Sequence, residues 1–393
     1  MASYVTLDAD GQTKAHRHSS RLVEQLLSTG ALSSPEWRSA FERAPRHLFA
    51  PQFRLPDNFG GQTLDGSDAS QQDAWLRAVY VNDALLTDLD DDGTPFRTCS
   101  SPTVVALLLE ALQAVEGHSV LEIGTGTGWN AALLAIRLGS DAVTSIDIDP
   151  LFVQQARERL AVLDLHPTLD VADGYGGYPA RGPYDRIIAT CSVRQFPPAW
   201  LRQIRPGGVI LVDIRGNFGG GLARITRTTD NGASGGFLPA RVSFMPLRST
   251  EHGIRSTSEI GRLIGRVTGA SGDSHTTDLN PKVLREPHSF ALFAQLAIPG
   301  ALAMTVTIGS ERTFFCLVHP DSQSWARVAL SGNTSHSATQ GGSRRIWNEL
   351  EDSYELWSSL DRPARDQFTI TITSDNEQYV SLMETSYRWQ LPL

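Results

Sequence analysis

The sequence is poor in three features, and each shortage excludes a class of protein. Three of the 393 residues are cysteine, and Cys99, Cys191 and Cys316 are too few and too widely spaced for a disulfide framework. No run approaches the roughly 18 apolar residues of a membrane-spanning helix. Basic residues number 34 against 43 acidic ones, for a formal charge of −9, which argues against a nucleic-acid-binding surface.

Export and metal-binding patterns are also missing. Residues 1–8 have neither a basic start nor an apolar core, so no signal peptide is expected. His16 and His18 have no third ligand nearby, and the acidic residues 88–92, which we interpret as a solvated loop, lack the closing glutamate of a calcium loop. We therefore expect a soluble cytoplasmic protein that binds no metal, nucleic acid or membrane.

The most informative stretch is a strand, a glycine turn and a helix over residues 118–138. Glu122 precedes the alternating glycines Gly124, Gly126 and Gly128, and Asn130 lies at the start of the helix. Such a turn lets the backbone approach a ligand closely, while free N–H groups at the helix N-terminus point towards it. The pattern predicts a ligand-binding turn.

Two acids further along the chain indicate which ligand it is. Asp147 ends the next apolar run, where a carboxylate binds ribose hydroxyls, and Asp173 follows a short strand, where an acid can meet an adenine amino group. Trp129 stands where a P-loop would need lysine, and a pyrophosphate would be repelled by Glu122. The charge of Glu122 suits an ammonium group and a sulfonium, which predicts S-adenosylmethionine.

Strand and helix patterns alternate through the middle of the chain. This alternation over residues 118–214 predicts an α/β fold with a doubly wound parallel sheet and a ligand at the carboxyl ends of its strands. Composition changes beyond residue 245. We expect a helical and loop-like cap over 1–78, a catalytic core over 79–245 and a C-terminal α+β domain over 246–393.

Outside the core, the expectations are less regular. Residues 1–17 are polar and predicted to be ill-ordered before a helix at 19–28, and 52–78 resemble a loop. The C-terminal domain is predicted to have strands at 289–297, 301–308, 312–318 and 325–330, a loop at 334–342, a helix at 344–360 and a closing hairpin at 368–382. Trp325, Trp347 and Trp357 are interpreted as core residues.

Several ordered motifs resemble those of class I (Rossmann-like) methyltransferases. They are residues 122–128, Asp147, Asp173-Gly174, 184–188 and 205–208. More narrowly, residues 44–51, 80–85, 98–102 and 195–201 resemble the protein-L-isoaspartate O-methyltransferases, over about residues 20–215. The resemblance implies a carboxyl O-methyltransferase that converts S-adenosylmethionine into S-adenosylhomocysteine and acts on a peptide or protein bearing aspartate or isoaspartate.

The resemblance also implies roles for particular positions. Ser100 would lie beside the transferred methyl group and the substrate carboxylate, with Thr98 as a second catalytic residue. The cofactor positions are Glu122, Gly124, Thr125, Gly126, Gly128, Asn130, Asp147, Ile148, Asp173, Gly174 and Thr190. The substrate positions are Tyr80, Asn82, Arg97, Ser101, Cys191 and Val193. Residues 100–102 also have the local pattern of a serine-capped helix with proline at its first position.

Two segments depart from the family pattern. Repair enzymes usually have Glu-Asp where this chain has Val81-Asn82, and Gly-Gln-Thr-Ile-Ser-Ala-Pro-His where it has residues 96–103. Within the second segment, Arg97 would either pair with an acidic peptide or be an ordinary surface arginine. Repair enzymes are also expected to be compact, whereas this chain has a C-terminal domain.

An altered acceptor segment with an added domain resembles the extended actinobacterial branch associated with ribosomally synthesised peptides of the lanthipeptide and graspetide type. Its members methylate an ordinary aspartate in a precursor peptide, and the next backbone nitrogen then displaces methanol to close a succinimide. Our leading hypothesis is this reaction, with the C-terminal domain recognising the peptide. Repair of isoaspartyl residues is the first alternative, and a regulatory protein that binds S-adenosylmethionine without turnover is the second.

Overall fold

The computed structural model of the protein describes residues 4–56, 61–89, 95–250, 257–284, 289–308, 312–330 and 336–393. The chain divides into two compact units. The first comprises Met1–Cys191, Pro197–Val212 and Leu247–Thr250, and the second comprises Ser192–Phe196, Asp213–Pro246 and Glu251–Leu393. No helix in the described ranges is long and apolar enough to cross a membrane.

The first unit begins with helices and a small antiparallel sheet. Its elements are α1 (Ala9–Ser28), α2 (Pro35–Arg43), β1 (Gln52–Arg54), β2 (Thr63–Asp65), α3 (Gln72–Val79), β3 (Leu85–Leu89) and β4 (Pro95–Cys99). The strands pair in the order β2-β1-β3-β4, all antiparallel.

Two expectations for this region are wrong. Helix α1 begins ten residues before the predicted start at residue 19, because the Asp8 carboxylate caps it by accepting from Gly11 N at 2.8 Å and because its buried face already includes Ala15. The supposed loop 52–78 contains two strands and most of α3, which buries Trp75 completely. The polar residues between these short elements obscured their pattern.

The predicted parallel sheet follows and is confirmed. Its elements are α4 (Pro102–Leu112), β5 (Val120–Ile123), α5 (Trp129–Leu138), β6 (Val143–Asp147), α6 (Pro150–Ala161), β7 (Thr168–Val171), β8 (Tyr184–Val193), α7 (Pro198–Gln203) and β9 (Ile204–Arg215). The strand order is β9-β8-β5-β6-β7, and β5 pairs in parallel with both β6 and β8, as β6 does with β7. Strands β5 and β6 are buried at every position, as their apolar runs predict.

The second unit is α+β. Its elements are β10 (Gly220–Arg227), β11 (Ala233–Phe237), α8 (Thr257–Gly269), β12 (Asp273–Thr277), α9 (Phe290–Ala297), β13 (Leu302–Ile308), β14 (Arg312–His319), β15 (Ser324–Ala329), β16 (His336–Gly341), α10 (Ile346–Ser359), β17 (Phe368–Ile372), β18 (Gln378–Leu382) and β19 (Arg388–Gln390). One antiparallel sheet has the order β12-β16-β15-β14-β13, and the other strands run in the order β10-β11-β17-β18-β19.

Two expectations for this unit are also wrong. Residues 290–297 form helix α9 rather than a strand, and residues 336–341 of the supposed loop form β16, while 334–335 lie outside the described residues. Strand β16 pairs with β12 and β15, partners that a local reading cannot supply. Trp347 and Trp357 are buried as predicted, and Trp325 is half-buried.

Candidate active site

The turn after β5 is shaped by two glycines with a backbone that other residues rarely adopt. Gly124 and Gly128 have φ angles of 94° and 89°. The N–H groups of Gly124 and Thr125 donate to the carbonyl oxygen of Ile146 at 2.9 and 3.1 Å. A Cβ atom on Gly124 would lie 2.8 Å from Oγ1 of Thr190, whose hydroxyl donates to the Gly124 carbonyl oxygen at 2.8 Å. Both neighbouring strands therefore fix the turn.

Glu122 is completely buried, and both of its carboxylate oxygens accept hydrogen bonds. Asn130 Nδ2 donates at 2.7 Å and Ser145 Oγ at 2.5 Å, while Ser145 Oγ lies 2.7 Å from Thr125 Oγ1. Burial raises the pKa of Glu122 to about 7, against the effect of the two hydrogen bonds and with a contribution from the charge of Asp147. A cation that binds beside this carboxylate would favour its ionised form.

Asp147 ends β6 with its carboxylate oriented by backbone N–H groups. Oδ2 accepts from Gly126 N at 2.9 Å and Oδ1 accepts from Asp149 N at 3.1 Å, while Arg248 Nη2 lies 3.8 Å from Oδ1. Burial raises the pKa of Asp147, and these N–H groups and the Arg248 charge oppose that rise. An acid held in this way at a strand end can accept both hydroxyls of a ribose.

Asp173 follows β7 and is covered by residues 247–250, which we call the covering segment. Its Oδ2 accepts from Ser249 Oγ at 2.6 Å and from Thr250 N and Oγ1 at 3.1 and 3.3 Å, and its Oδ1 accepts from Tyr175 N at 3.0 Å. Partial burial works to raise the pKa of Asp173, but these hydrogen bonds outweigh it and lower the pKa. Sequence reasoning missed this segment, which lies 76 residues from Asp173 with no local signal.

The covering segment also reaches the neighbouring strand ends. A Cβ atom on Gly174 would come within 2.7 Å of Ile123 Cγ2 and 2.8 Å of Leu247 Cδ1, so glycine is needed where the segment packs. The guanidinium carbon of Arg248 lies 5.5 Å from the Phe96 ring centroid and 5.6 Å from that of Phe152. The segment thus brings a cation and hydroxyl groups to the acids predicted to bind ribose and adenine.

These residues fit S-adenosylmethionine. Glu122 supplies a buried negative charge for an ammonium group, and Asp147 and Asp173 follow adjacent parallel strands, whose carboxyl ends meet at the edge where such sheets bind ligands. The turn at Gly124 leaves no room for a side chain on the side of Thr190. The arrangement combines a charged recess with two acids for a nucleoside.

On the acceptor side, the buried side chain of Arg46 holds two segments together. Nη1 donates to two carbonyl oxygens, and Nη2 donates to three. The acceptors are Val79 and Val81 at 2.8 Å, Asp83 at 2.7 Å, Cys99 at 3.2 Å and Ser100 at 3.0 Å. The guanidinium carbon lies 5.3 Å from the ring centroid of Trp129, the first residue of α5. Sequence reasoning gave Arg46 no role, and its place in a family motif was the available signal.

Asn82, a predicted substrate residue, caps helix α4. Its Oδ1 accepts from Thr103 N at 3.0 Å and from Ser101 Oγ at 3.3 Å, and its Nδ2 donates to Thr103 Oγ1 at 2.8 Å. Ser101 occupies the N-cap position and Pro102 the first turn, as the pattern predicts. The capping hydrogen bond nevertheless comes from Asn82 and not from a serine hydroxyl, because Asn82 approaches from another part of the chain.

Ser100 lies between β4 and α4 and is half-buried. Arg46 donates a hydrogen bond to the backbone carbonyl oxygen of Ser100. Within the described ranges the Ser100 hydroxyl has no such bond, so it can still donate and accept. Thr98 is half-buried in β4, opposite Leu86. The catalytic roles of Ser100 and Thr98 stay predictions.

Tyr80 points its hydroxyl into the protein. The oxygen lies 2.7 Å from Nδ1 of His47, and both residues are buried. Burial lowers the pKa of His47 to about 4, so its imidazole is neutral at pH 7, and burial raises the pKa of Tyr80. This contact fixes Tyr80 within residues 79–83, whose carbonyl oxygens also accept from Arg46.

Arg97 is buried, which excludes one of its two interpretations, that of an ordinary surface arginine. It is 6% exposed, forms an ion pair with Asp88, donates to Gln155 Oε1 at 2.9 Å and lies 3.8 Å from the ring centroid of Phe152. These contacts attach β4 to α6. Asp88 belongs to β3 rather than to a solvated loop, and residues 90–92 of that predicted loop lie outside the described residues. A contact between Arg97 and a substrate stays a prediction.

Three predicted residues remain. Cys191 is buried with Sγ 3.9 Å from the carbonyl oxygen of Ile123, and Ile148 is half-buried directly after Asp147. Val193 is buried at the end of β8, within the second compact unit. The structure therefore gathers the predicted cofactor residues around the ends of β5, β6 and β7, whereas Val193 belongs to the other unit.

Comparisons with known proteins agree with this geometry. The profile of the family described as protein-L-isoaspartate(D-aspartate) O-methyltransferase matches residues 67–252. A protein-L-isoaspartate O-methyltransferase of Ignicoccus hospitalis is 31% identical over 236 residues, covering 58% of this chain and 97% of that protein. Another, of Methylorubrum extorquens, is 38% identical over 189 residues, covering 46% and 81%.

A solved structure described as a protein-L-isoaspartate O-methyltransferase superposes with a TM-score of 0.53 at 20% identity, covering 93% of this chain and 99% of its own. This likeness concerns the fold and confirms the predicted class I methyltransferase architecture. A chain of this description can thus be matched over almost the whole of this protein, whereas the relative of Ignicoccus hospitalis is matched almost entirely by 58% of it. Taken with the relative of Ignicoccus hospitalis, these matches show that the chain belongs to the protein-L-isoaspartate O-methyltransferase family, whose members are S-adenosylmethionine-dependent carboxyl O-methyltransferases.

Proposed function

We propose that this protein methylates the free carboxylate of isoaspartyl residues in peptides or proteins. The observation that carries the proposal is the Arg46 clamp, which holds residues 79–83 and Cys99–Ser100 together at the N-terminus of α4. A helix N-terminus favours an anion, and the Ser100 hydroxyl can donate to it. The relatives are named for the same isoaspartyl acceptor. Methylation of isoaspartyl residues therefore becomes the main proposal, and methylation of an ordinary aspartate becomes the second candidate.

The chemistry asks for alignment rather than for a base. S-adenosylmethionine, when bound, supplies a methyl group on a sulfonium that a carboxylate oxygen attacks in line with the breaking C–S bond. An aspartyl or isoaspartyl carboxyl has a pKa near 4 and is ionised at neutral pH. Glu122 holds the ammonium end, Asp147 and Asp173 hold the nucleoside, and Ser100 orients the acceptor carboxylate. The neutral imidazole of His47 is occupied by Tyr80 and takes no proton from the substrate.

A second candidate is methyl-esterification of an ordinary aspartate in a ribosomally made precursor peptide, with closure to a succinimide or conversion to isoaspartate. Asn82 favours it, because this residue builds the N-terminus of α4 where the family pattern has an acid. In this reading the protein belongs to the extended actinobacterial branch, and residues 246–393 recognise the peptide. The length of the chain does not favour either candidate, since a solved chain with the repair enzyme's description is covered to 99%.

Mass spectrometry on two substrates tests the proposal. The full-length protein is incubated with S-adenosylmethionine and either an isoaspartyl peptide or a short acidic peptide encoded beside the gene. Methyl gain on the isoaspartyl peptide, with none on its aspartyl counterpart, supports repair. Methyl gain followed by methanol loss on the neighbouring peptide alone supports the second candidate. Cofactor binding without either product would support the regulatory alternative.

Ser100→Ala tests the mechanism within either reaction. We expect turnover to fall by roughly tenfold to a thousandfold, as for the loss of one orienting donor, while cofactor affinity changes less than about twofold. Ser28→Ala, which removes an exposed hydroxyl at the end of α1, is the control. Equal turnover in both variants would remove Ser100 from the mechanism.

A further inference from the structure

A cavity of about 270 Å³ in the second compact unit carries an excess of positive charge. The described residues that line it include three arginines, Arg241, Arg362 and Arg365, and one acid, Asp366. Arg241, Arg362 and Asp366 are exposed, and Arg365 is half-buried. The positive charge therefore extends from the mouth of the cavity to its interior, unlike the acidic chain as a whole.

Arg365 is held in place yet is short of partners. A Cβ atom on Gly221 would come within 2.5 Å of its Cδ and 2.9 Å of its Nε, so the side chain packs directly on β10. Its Nε is buried and finds no hydrogen-bond partner in the described part of the chain. Burial lowers the pKa of Arg365, and the charges of Arg215 and Arg241 add to this effect, although the group stays charged at pH 7. A bound anion would offer Arg365 a hydrogen-bond acceptor and an opposite charge.

A buried acid, Asp213, acts on Arg365 through its charge but not through a hydrogen bond. Asp213 is completely buried, and its Oδ2 accepts from Arg215 Nε at 2.8 Å and from Phe244 N at 3.0 Å. It affects Arg365 through its charge alone, and its Oδ1 has no partner among the described residues. Arg215 and Arg365 therefore both interact with the charge of one buried carboxylate, that of Asp213.

The remaining walls suit a side chain with a short apolar stem. Trp357 is 3% exposed, and its ring centroid lies 5.9 Å from the guanidinium carbon of Arg362. The Ser289 hydroxyl is already bonded to the carbonyl oxygen of Pro363. The volume lies just below the roughly 300 Å³ at which ligand pockets usually begin, so the cavity suits one side chain rather than a nucleotide.

We propose that this cavity binds a glutamate or aspartate side chain of the peptide substrate, at a position other than the methylated residue. Guanidinium groups bind carboxylates through two parallel hydrogen bonds, and the indole face packs on the methylene groups. The inference rests on the proposed function, because it assigns an acidic flanking residue to the same peptide substrate. The proposal thus assigns the second unit a role in binding the peptide, and this role rests on the residues of the cavity.

Fluorescence anisotropy of a labelled probe tests the proposal without methyl transfer. The probe is an N-acetylated, C-amidated peptide of alternating glycine and glutamate, compared with its glutamine counterpart, on full-length protein without S-adenosylmethionine. We expect the glutamate peptide to bind at least about tenfold more tightly, and Arg365→Gln to weaken it by about tenfold, as for a charged hydrogen bond. Arg362→Gln should weaken it by about two- to fivefold, as for an exposed charge.

Two further variants make the test specific. Asp366→Asn removes the opposing carboxylate and should strengthen binding by about two- to fivefold. Arg388→Gln changes an exposed arginine of the same unit that does not line the cavity, and it should leave binding unchanged. If Arg365→Gln proves unfolded by circular dichroism, Asp366→Asn and Arg362→Gln decide the matter with exposed positions.

Three results would overturn the proposal: equal binding of the two peptides, equal affinity of the cavity variants and Arg388→Gln, or displacement of the probe by inorganic phosphate at lower concentration than by glutarate. The last result would indicate a phosphate site instead. Because no step involves the methyl donor, peptide binding without methylation would leave the inference standing while contradicting the proposed function. Methylation of the isoaspartyl peptide, together with peptide binding that is equal in the cavity variants and the control, would support the proposed function and contradict the inference.

Discussion

Glu122 links the charge of the cofactor site to pH. Its pKa is raised by burial to about 7 from the model-compound value of 4.5. Between these values the folded protein holds a proton that the unfolded chain has lost, so the contribution of Glu122 to stability is full below about pH 4.5 and is lost as the pH rises through about 7. Binding of an ammonium group acts in the opposite sense, since it requires the ionised carboxylate.

We therefore expect S-adenosylmethionine affinity to rise with pH through about 7 and Glu122→Gln to abolish that rise. The amide keeps the size of the side chain but loses the charge, which should weaken binding by roughly tenfold above pH 7. Calorimetric titration at several pH values measures both effects. Glu158→Gln, an exposed change on α6, is the control, and a wild-type pH profile in Glu122→Gln would contradict the assigned role.

Asn82 permits a second test at the scale of the residue. Because Asn82 supplies the cap of α4, Asn82→Ala should lower the free energy of unfolding by about 1 kcal/mol. Asn82→Asp keeps the acceptor and places a negative charge at a helix N-terminus, so it should retain most of that stability. Chemical denaturation compares the two. Equal destabilisation by Ala and Asp would show that the donor bond to Thr103 matters more than the cap.

The site residues that could be predicted are those with a local pattern. Gly124 and Gly128 precede a helix, and Asp147 ends an apolar run, so strand, turn and helix signals surround each of them. Arg46 could not be given its role in this way, because its five acceptors lie at least 33 residues along the chain and are all backbone carbonyls, which carry no sequence signature. Roles built from backbone groups need the fold.

At the scale of the element, the covering segment is expected to orient Asp173. In the described part of the chain, Oδ2 accepts from Ser249 and Thr250 and Oδ1 accepts from Tyr175 N, so an adenine amino group fits best at the less crowded Oδ1. Ser249→Ala removes a donor that fixes this carboxylate, and we expect cofactor affinity to fall by roughly threefold to tenfold, as for one lost hydrogen bond to a charged group. Turnover at saturating cofactor should change little.

Equilibrium binding and single-turnover kinetics separate these effects. Ser274→Ala, which removes an exposed hydroxyl in β12, serves as the control. A gain of affinity in Ser249→Ala would contradict the orienting role and would indicate that the segment competes with the nucleoside for Asp173.

Helix α9 shows where a local pattern misleads. Its sequence, FALFAQLA, is apolar almost throughout, and six of its eight residues are buried. A short apolar run of this kind is shared by buried strands and buried helices, and the helical choice is made by packing, with Phe290 against Trp357 at 5.4 Å and Phe293 against Trp389 at 5.3 Å between ring centroids. Strands β5 and β6 escaped this ambiguity because glycine and aspartate end them at the turn.

At the scale of the whole molecule, the second unit gathers pieces that are far apart in the sequence. It takes residues 192–196 and 213–246 as well as the chain after 250. The composition change near residue 245 carried no information about the earlier pieces, because they precede it in the chain and follow directly on residues of the first unit. The functional division at residues 78 and 245 therefore stays a prediction, to be judged by binding experiments of the kind proposed for the cavity.

Gln378 joins two of these pieces and permits a test of the unit's cohesion. Its Oε1 accepts from Phe196 N at 2.9 Å and its Nε2 donates to Phe196 O at 2.7 Å, across 182 residues of sequence, and its side chain is buried. Gln378→Leu would leave the N–H and C=O groups of Phe196 buried without partners. Each unsatisfied group costs about 1–3 kcal/mol, so we expect the free energy of unfolding to fall by about 2–6 kcal/mol.

Native-state hydrogen exchange at the Phe196 amide measures this loss in the second unit itself, even if the two units unfold in separate steps. Glu377→Gln, an exposed change at the neighbouring position, is the matched control. Gln378→Glu keeps the acceptor for Phe196 N but loses the donor, so it should be destabilised at pH 7, where the buried carboxylate is charged, and partly recover at pH 5 as it takes up a proton. Protection of Phe196 in Gln378→Leu equal to that in Glu377→Gln would show that these two hydrogen bonds do not hold the unit together.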